Sequence, residues 1–402
     1  MTLPFSGAAP AAPIWDQTTP GLPHTHVFII GVGKYRHLLN GAGVLARRNM
    51  GMGQLTSPPV SARKLAEWFI QPGGTPYNNP DAPLGSVFLL LSEQASAPFP
   101  LPGGATVTPP DATIDNIERH FDAWLAKVKE HPNNIAIFYY CGHGVLIQGD
   151  LVLLAEDYGA KPRQPFDGAI DFETLHKGMA LEHAGVQCYF IDACSNVPVS
   201  DLDIEQSGAR GFFTVSAPPP SQQTMLVIRA AAPGNTAYGI ANRPSRFTQT
   251  LLDCLQGRGC HPTRLGGNWV VTTQSLAFSI SQVLAWLNNN QKGAIQFPNI
   301  TRNQGVGRLN LLTQPPVVPV KVQFQPDSAI ADASLTLTSR DNPAWVISRA
   351  PQPNPWQPAD VRAGVYELSA SFRTSLYRDF SENLIVIPPG PIEEPFYPPS
   401  SS

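Results

Sequence analysis

The sequence predicts an α/β domain built on a mostly parallel sheet with helices on both faces, followed by a smaller antiparallel β domain. Three observations carry this. Between residues 25 and 312, short apolar runs suited to strands buried on both faces alternate with segments of helical period. From residue 317 to 388 the period becomes two, and no helical segment interrupts it. Proline supplies 42 of the 402 residues. That is roughly twice the usual share, which suits long ordered loops and stiff linkers better than a helical bundle.

Taken in order, residues 1–24 are rich in Pro and Ala without pattern and read as a poorly ordered arm. HVFIIGV (26–32) is a buried strand ended by glycine. SPPVSARKLAEWFI (57–70) opens with Ser57 as a cap and Pro58 in the first turn, and gathers Leu65, Trp68 and Phe69 on one helical face. GSVFLLL (85–91) is a second strand, and residues 111–130 repeat Ile114, Ile117, Phe121, Leu125 and Val128 at helical spacing. NIAIFYY (134–140), VQCYFID (186–192) and QTMLVIRA (223–230) are further strands, with helices expected near 172–182, 245–255 and 273–288. TQPPVVP (313–319) is a linker, and 317–388 reads as a small antiparallel β-sandwich. The tail, 389–402, is expected to be a mobile, polyproline-like arm.

Composition excludes several classes. Lys and Arg total 27 against 30 Asp and Glu, a net charge of −3 without a basic run. Nucleic acid is therefore not an expected partner, because phosphate binding needs clustered cations; Arg47-Arg48 is too short. Five cysteines (141, 188, 194, 254, 260) are too few and scattered for a disulfide framework. With no signal-peptide pattern and no run of 18 apolar residues, a cytoplasmic protein without a membrane partner is expected. Cys141-x-His143 with Cys188 lacks zinc spacing, and Gly31-x-Gly33 lacks the third glycine of a dinucleotide loop.

Two strand ends carry the chemistry. The strand at 134–140 runs into Cys141-Gly142-His143-Gly144, and that at 186–191 into Asp192-Ala193-Cys194-Ser195. In a parallel sheet both lie on the carboxyl edge, where functional residues gather. A thiol with an imidazole beside it is the arrangement a cysteine nucleophile needs. Either residue alone would read as a core cysteine or a loop histidine.

YYCGHG resembles the histidine motif of caspases and metacaspases, and FIDACS resembles their nucleophile motif. The separation, 51 residues from His143 to Cys194, agrees with the caspase spacing of roughly 50. HVFIIGVGKYR and residues 225–255 also resemble segments of the family, so the resemblance spans roughly 25–312 and is nearest to prokaryotic homologues. It implies a mostly parallel six-stranded sheet with helices on both faces, and a cysteine endopeptidase acting on proteins. It also implies roles: Cys194 attacks the scissile carbonyl, His143 protonates the leaving amine, and the amides of Gly144 and Cys194 hold the oxyanion.

The departures shape the expected specificity. The positions where caspases grip an aspartate with arginine hold Leu55 and about Gly239, so cleavage after Asp is not expected. Asp192 matches the metacaspase acid two residues before the nucleophile, which implies binding of Arg or Lys at P1. The second pocket acid of metacaspases is replaced by Ser61. In the loop from Ser195 to Gln222, Arg210-Gly211 is the basic bond expected for self-processing. Metacaspases bind calcium with acids in such loops, but Asp201, Asp203 and Glu205 cluster there without calcium-loop spacing, so no cofactor is expected, with calcium dependence the alternative. The resemblance further implies latency relieved by an activating protease or regulatory protein, in a defence or cell-death setting. The alternative is a catalytically silent scaffold of the same fold that binds partners.

Overall fold

The computed structural model describes residues 11–71, 76–182, 184–194, 208–213, 223–231, 241–263, 267–290, 295–393 and 395–400, with the backbone of 198–199. The chain divides into two units, Met1–Leu252 with Leu284–Arg308, and Asp253–Val283 with Leu309–Ser402.

The first unit contains, in chain order, β1 (Trp15–Asp16), β2 (Thr25–Val32), α1 (Ser57–Ile70), β3 (Leu84–Ser92), α2 (Ile114–Val128), β4 (Ile135–Gly142), β5 (Gly144–Ile147), β6 (Asp150–Leu154), β7 (Ala169–Asp171), α3 (Phe172–Met179), β8 (Val186–Ala193), β9 (Thr224–Arg229), α4 (Arg246–Asp253) and β10 (Asn299–Gln304). The sheet runs β1-β3-β2-β4-β8-β9-β10. The five central strands are parallel, whereas β1 and β10 pair antiparallel at the two edges. Seven strands thus stand where six were expected. The extra one comes from the expected N-terminal arm, because Trp15 and Asp16 pair with Val87 and Ser86.

Every residue of β2 and β4 is buried, as the unbroken apolar runs require of strands covered on both faces. Phe28 organises one layer. Its ring stacks on Phe138 at 5.8 Å, meets Phe121 edge-on at 6.0 Å and lies 5.6 Å from Trp124. Thr113 caps α2 by accepting from the Asn116 N–H, and Lys127 in its last turn faces the negative end of the helix dipole. Ser57 does not act as the expected cap of α1; Thr56 stands at that position without a capping bond, its Oγ1 accepting instead the Asn242 N–H at 3.0 Å. Gly31 and Gly33 are explained by packing. A side-chain atom on Gly31 would lie 2.7 Å from Ala62 Cβ, and one on Gly33 would lie 2.4 Å from the Leu55 carbonyl.

Sequence reading missed the antiparallel excursion β5–β6–β7. Its hairpin turns at Gln148 and Gly149, both with positive φ (52° and 98°). That is the geometry a two-residue hairpin demands, carried here by Gln-Gly in place of the more recognisable Asn-Gly.

In the second unit, strands Cys260–Pro262, Trp269–Thr272 and Arg308–Leu312 form a small sheet, so part of the region read as one domain groups with C-terminal residues. The alternating segments form β11 (Ala333–Ser339), β12 (Val346–Arg349), β13 (Gly364–Phe372) and β14 (Phe380–Val386), in the antiparallel order β12-β11-β13-β14. Its inner face, with Leu335, Leu337 and Leu368, packs on Val318, Val320, Val322 and Phe324. That second layer is held by isolated bridges such as Val322 to Trp356 and not by a regular sheet. Its prolines remove the N–H donors a ladder needs. The tail is docked where a free arm was expected. Pro395–Phe396 pairs with Gln323–Phe324, Ile392 bridges Val320, and Phe396 is buried.

Phe28→Ala would empty the centre of the first unit's aromatic layer. We expect a loss of about 3–5 kcal/mol in unfolding free energy, read from urea midpoints at unchanged slope.

Candidate active site

The parallel ladder between β8 and β4 pairs Asp192 with Cys141 and Ala193 with Gly142. One step further along both strands come Cys194 and His143. The register therefore sets the two reactive residues side by side at the carboxyl edge, on neighbouring strands spaced about 4.8 Å apart. The first three parallel strands run in the spatial order β3-β2-β4, so the strand order reverses at β2, with β3 on one side of it and β4 on the other, and His143 follows that switch point. Side chains two apart on a strand share a face, which puts Asp192 on the side of Cys194.

His143 is half-buried, and its Nε2 lies 2.8 Å from the Gly53 carbonyl. A carbonyl only accepts, so Nε2 carries the proton and Nδ1 keeps a lone pair for a neighbouring thiol. Burial lowers the pKa of the imidazole, partly opposed by that carbonyl, so the ring is held neutral. Tyr35 lies against it, with ring centroids 4.8 Å apart.

Gly144 packs on the backbone of Cys194: a side-chain atom there would lie 2.7 Å from the Cys194 carbonyl. The Leu154 N–H donates to the His143 carbonyl at 3.0 Å, which makes Gly144–Leu153 a non-hydrogen-bonded pair. The Gly144 N–H therefore points away from β6, to the edge where Pro198–Val199 pairs with β5. Cys194 itself is part-exposed and in no disulfide.

Asp192 is 3% exposed. Its Oδ2 accepts from the Ser245 hydroxyl, from Thr248 Oγ1 at 2.7 Å and from the Cys141 thiol at 3.4 Å. Burial pushes its carboxyl above the usual carboxylate range, opposed by these donors. Ser61, fully buried on α1, joins the same cluster by accepting the Ser245 N–H at 2.9 Å. The structure thus brings Cys194, His143, Gly144, Asp192 and Ser61 to one region of one unit. The Leu55 N–H donates to the Gly33 carbonyl at 2.8 Å. Gly239 and the cluster Asp201, Asp203 and Glu205 lie outside the described residues.

Arg210 is set apart. Its guanidinium bonds Glu118 at 2.7 Å, Asp115 at 2.8 Å and Asp167 at 3.1 Å, and its backbone N–H and carbonyl pair with Ala169 and Asp171. Phe212 and Phe213, two and three residues on, pack at 5.1 and 5.8 Å from the Phe121 ring. This disagrees with Arg210-Gly211 as a ready cleavage point, since a protease needs an accessible, unpaired backbone and this one is clamped on both counts.

Sequence reasoning missed Tyr35, Gln54, Ser245 and Thr248. The Ser245 hydroxyl also accepts the Thr248 N–H at 2.9 Å, a helix-cap bond. A serine just before a helical pattern was the available signal. Among the described residues no group of His, Cys, Asp and Glu could hold a metal ion, and no helix is long and apolar enough to cross a membrane.

The caspase domain family model matches residues 24–305. An uncharacterized protein of Sinorhizobium fredii is 26% identical over 287 residues, 65% of this chain and 79% of that protein. A probable protease of a Desulfuromonadales bacterium is 28% identical over 212 residues, 49% of this chain and only 23% of that protein. The crystal structure of caspase-1 from Spodoptera frugiperda aligns with 73% of this chain and 94% of its own at 13% identity, with a TM-score of 0.39.

Two outcomes follow from this geometry. Because the folded pKa of Asp192 is raised, the native state binds a proton more tightly than the unfolded chain. Its stabilising contribution is full below the unfolded value near 4 and is lost as pH rises through the folded value. Unfolding free energy measured against pH should show this decline in the wild type relative to Asp192→Asn; a difference independent of pH would refute the raised value. Limited trypsin digestion of the native chain should spare Arg210-Gly211, and Glu118→Gln combined with Asp167→Asn should expose it, as read by mass spectrometry.

Proposed function

The chain belongs to the caspase-domain family of cysteine peptidases, and on that premise we propose that it is an endopeptidase working through Cys194 and His143. The observation that carries this is the β4–β8 register, which delivers thiol and imidazole to adjacent strand ends. Nδ1 of the neutral His143 takes the thiol proton as the sulfur attacks the scissile carbonyl. The amides of Gly144 and Cys194 bond the oxyanion; losing one such donor typically costs about 2.7–4 kcal/mol. The tetrahedral adduct collapses, the C–N bond breaks, and His143 passes its proton to the departing amine. Water then attacks the thioester, giving its proton to His143, and the carboxylate leaves as the thiol is restored.

Cleavage after Arg or Lys is the specificity we propose, with Asp192 as the pocket acid and Ser61 beside it. Support comes from the shared face of Asp192 and Cys194 and from Leu55, which offers no cation to an aspartate. Self-processing at Arg210-Gly211 would require the segment to leave its dock first, which fits a latent enzyme awaiting a protease or regulatory partner. A cytoplasmic location rests on the sequence pattern, a defence-related role on family resemblance, and partner docking by the C-terminal β unit on the edge strands of its sheet. The reaction as written needs no cofactor.

The test compares wild type, Cys194→Ala and Asp192→Asn on fluorogenic peptides with Arg, Lys or Asp at P1, with calcium or a chelator. Cleavage after Arg or Lys should vanish in Cys194→Ala. In Asp192→Asn, kcat/KM toward Arg should fall by about 1.5–3 kcal/mol, the worth of a charged hydrogen bond. Cleavage after Asp would overturn the specificity and leave the nucleophile standing. A chain that cuts no peptide, even after its loop is opened by trypsin, would favour the scaffold reading.

A further inference from the structure

We propose that Tyr35, braced by Gln54, is the positioning residue that fixes the His143 imidazole for its proton transfers. This rests on the reading of Cys194 and His143 as the reacting pair.

Tyr35 is fully buried in the turn after β2, on the far side of the switch point from His143. Its hydroxyl accepts the His143 backbone N–H at 2.7 Å, while its ring lies 4.8 Å from the imidazole, tilted by 44°. One side chain thus holds both the backbone and one ring face of the same histidine. Tyr140 completes the backbone grip, its hydroxyl 2.8 Å from the His143 carbonyl. Gly142 must be a glycine here: a side-chain atom on it would lie 2.6 Å from the Tyr140 hydroxyl and 2.7 Å from that of Tyr35.

The imidazole's other support is the Gly53 carbonyl on Nε2. Gln54, next in sequence, ties that support to Tyr35. Its Oε1 accepts the Tyr35 N–H at 2.8 Å, and its Nε2 donates to the Tyr35 carbonyl at 2.9 Å. Carbonyl and phenol therefore move as one body. The residues flanking Tyr35 are anchored in turn on the buried Glu156 carboxylate, which bonds Arg36 Nε at 2.8 Å, lies 3.1 Å from Lys34 Nζ and accepts from Ser92 Oγ at 2.7 Å.

With Nε2 tied to Gly53 and one face against Tyr35, the ring has a single orientation left, in which Nδ1 faces away from Gly53. This is the work a third group performs in nucleophile–base–orienter arrangements, done here by a phenol and a carbonyl in place of a carboxylate. The titratable groups around the phenol are His143, whose ring it meets, with Tyr140, Cys141 and Cys194.

The experiment needs no substrate. The rate of Cys194 alkylation by iodoacetamide is followed by peptide mass spectrometry from about pH 5 to 9, where thiolate fraction governs reactivity. The full-length wild type is compared with Tyr35→Phe, Gln54→Leu and His143→Ala, and melting midpoints are recorded. Removing His143 should leave the profile of a lone thiol, with its inflection near 8.5. Tyr35→Phe keeps the ring and drops the acceptor, and Gln54→Leu leaves both side chains and drops the brace. Each should lower the alkylation rate below neutral pH by about three- to tenfold, toward the His143→Ala profile. Wild-type profiles in both variants, with only the melting midpoints lowered, would reduce Tyr35 to a packing role and overturn the proposal. If His143→Ala itself keeps the wild-type profile, the Cys/His reading fails and the proposal falls with it, a result distinct from the first.

Discussion

The parallel ladder between Ile135–Gly142 and Val186–Ala193 is the constraint on which everything at the site depends. Eight consecutive pairs run from Val186–Ile135 to Ala193–Gly142 without a bulge. A slip of one residue would turn Asp192 and its neighbours to the opposite face and separate Cys194 from His143 by a full residue. Burial on both faces is what prevents the slip, because each strand would then place its wrong residues against both helical layers. The same apolar runs that stabilise the sheet therefore also align the reactive pair.

Around that ladder the buried carboxylates are met by donors from several sides. Asp192 ends in a cluster of hydroxyls drawn from the start of α4, with Cys141 across the ladder and Ser61 linked through Ser245. Glu156, fully buried, is met by a lysine, an arginine and a serine from two other strand ends. An ionised carboxylate at such depth costs several kcal/mol unless compensated. Both carboxylates lie at the carboxyl edge of the sheet, where loops converge.

The segment around Arg210 shows how a long connection acquires a fixed point. Three carboxylates from α2 and the turn before β7 hold its guanidinium, and two phenylalanines that follow enter the apolar layer beside Phe121. The charge network is part-exposed, and the two part-buried phenylalanines add apolar anchoring beside it. A residue that looks like a protease site in sequence becomes a structural tie once its neighbours are seen.

Much of the fold was legible because its signals are local. Runs such as IAIFYY and VQCYFI mark strands buried on both faces, Ile114 to Val128 marks an amphipathic helix, and the two strand ends announce a histidine and a cysteine at matching positions. The N-terminal edge strand, the hairpin at Gln148-Gly149 and the docked tail escaped notice, since two or three residues of pairing leave no periodicity to read. What the sequence by itself determined was the central parallel strands, the main helices and the placing of Cys194 and His143 at two strand ends, because the apolar runs that burial demands mark where those strands stop. Which groups surround the pair was decided only by tertiary structure. Tyr35 reaches His143 across 108 residues, Gln54 brings the Gly53 carbonyl across 90, and Ser245 finds Asp192 across 53. Those meetings follow from strand order and from helices crossing the sheet, and no short-range pattern encodes where two distant turns come together.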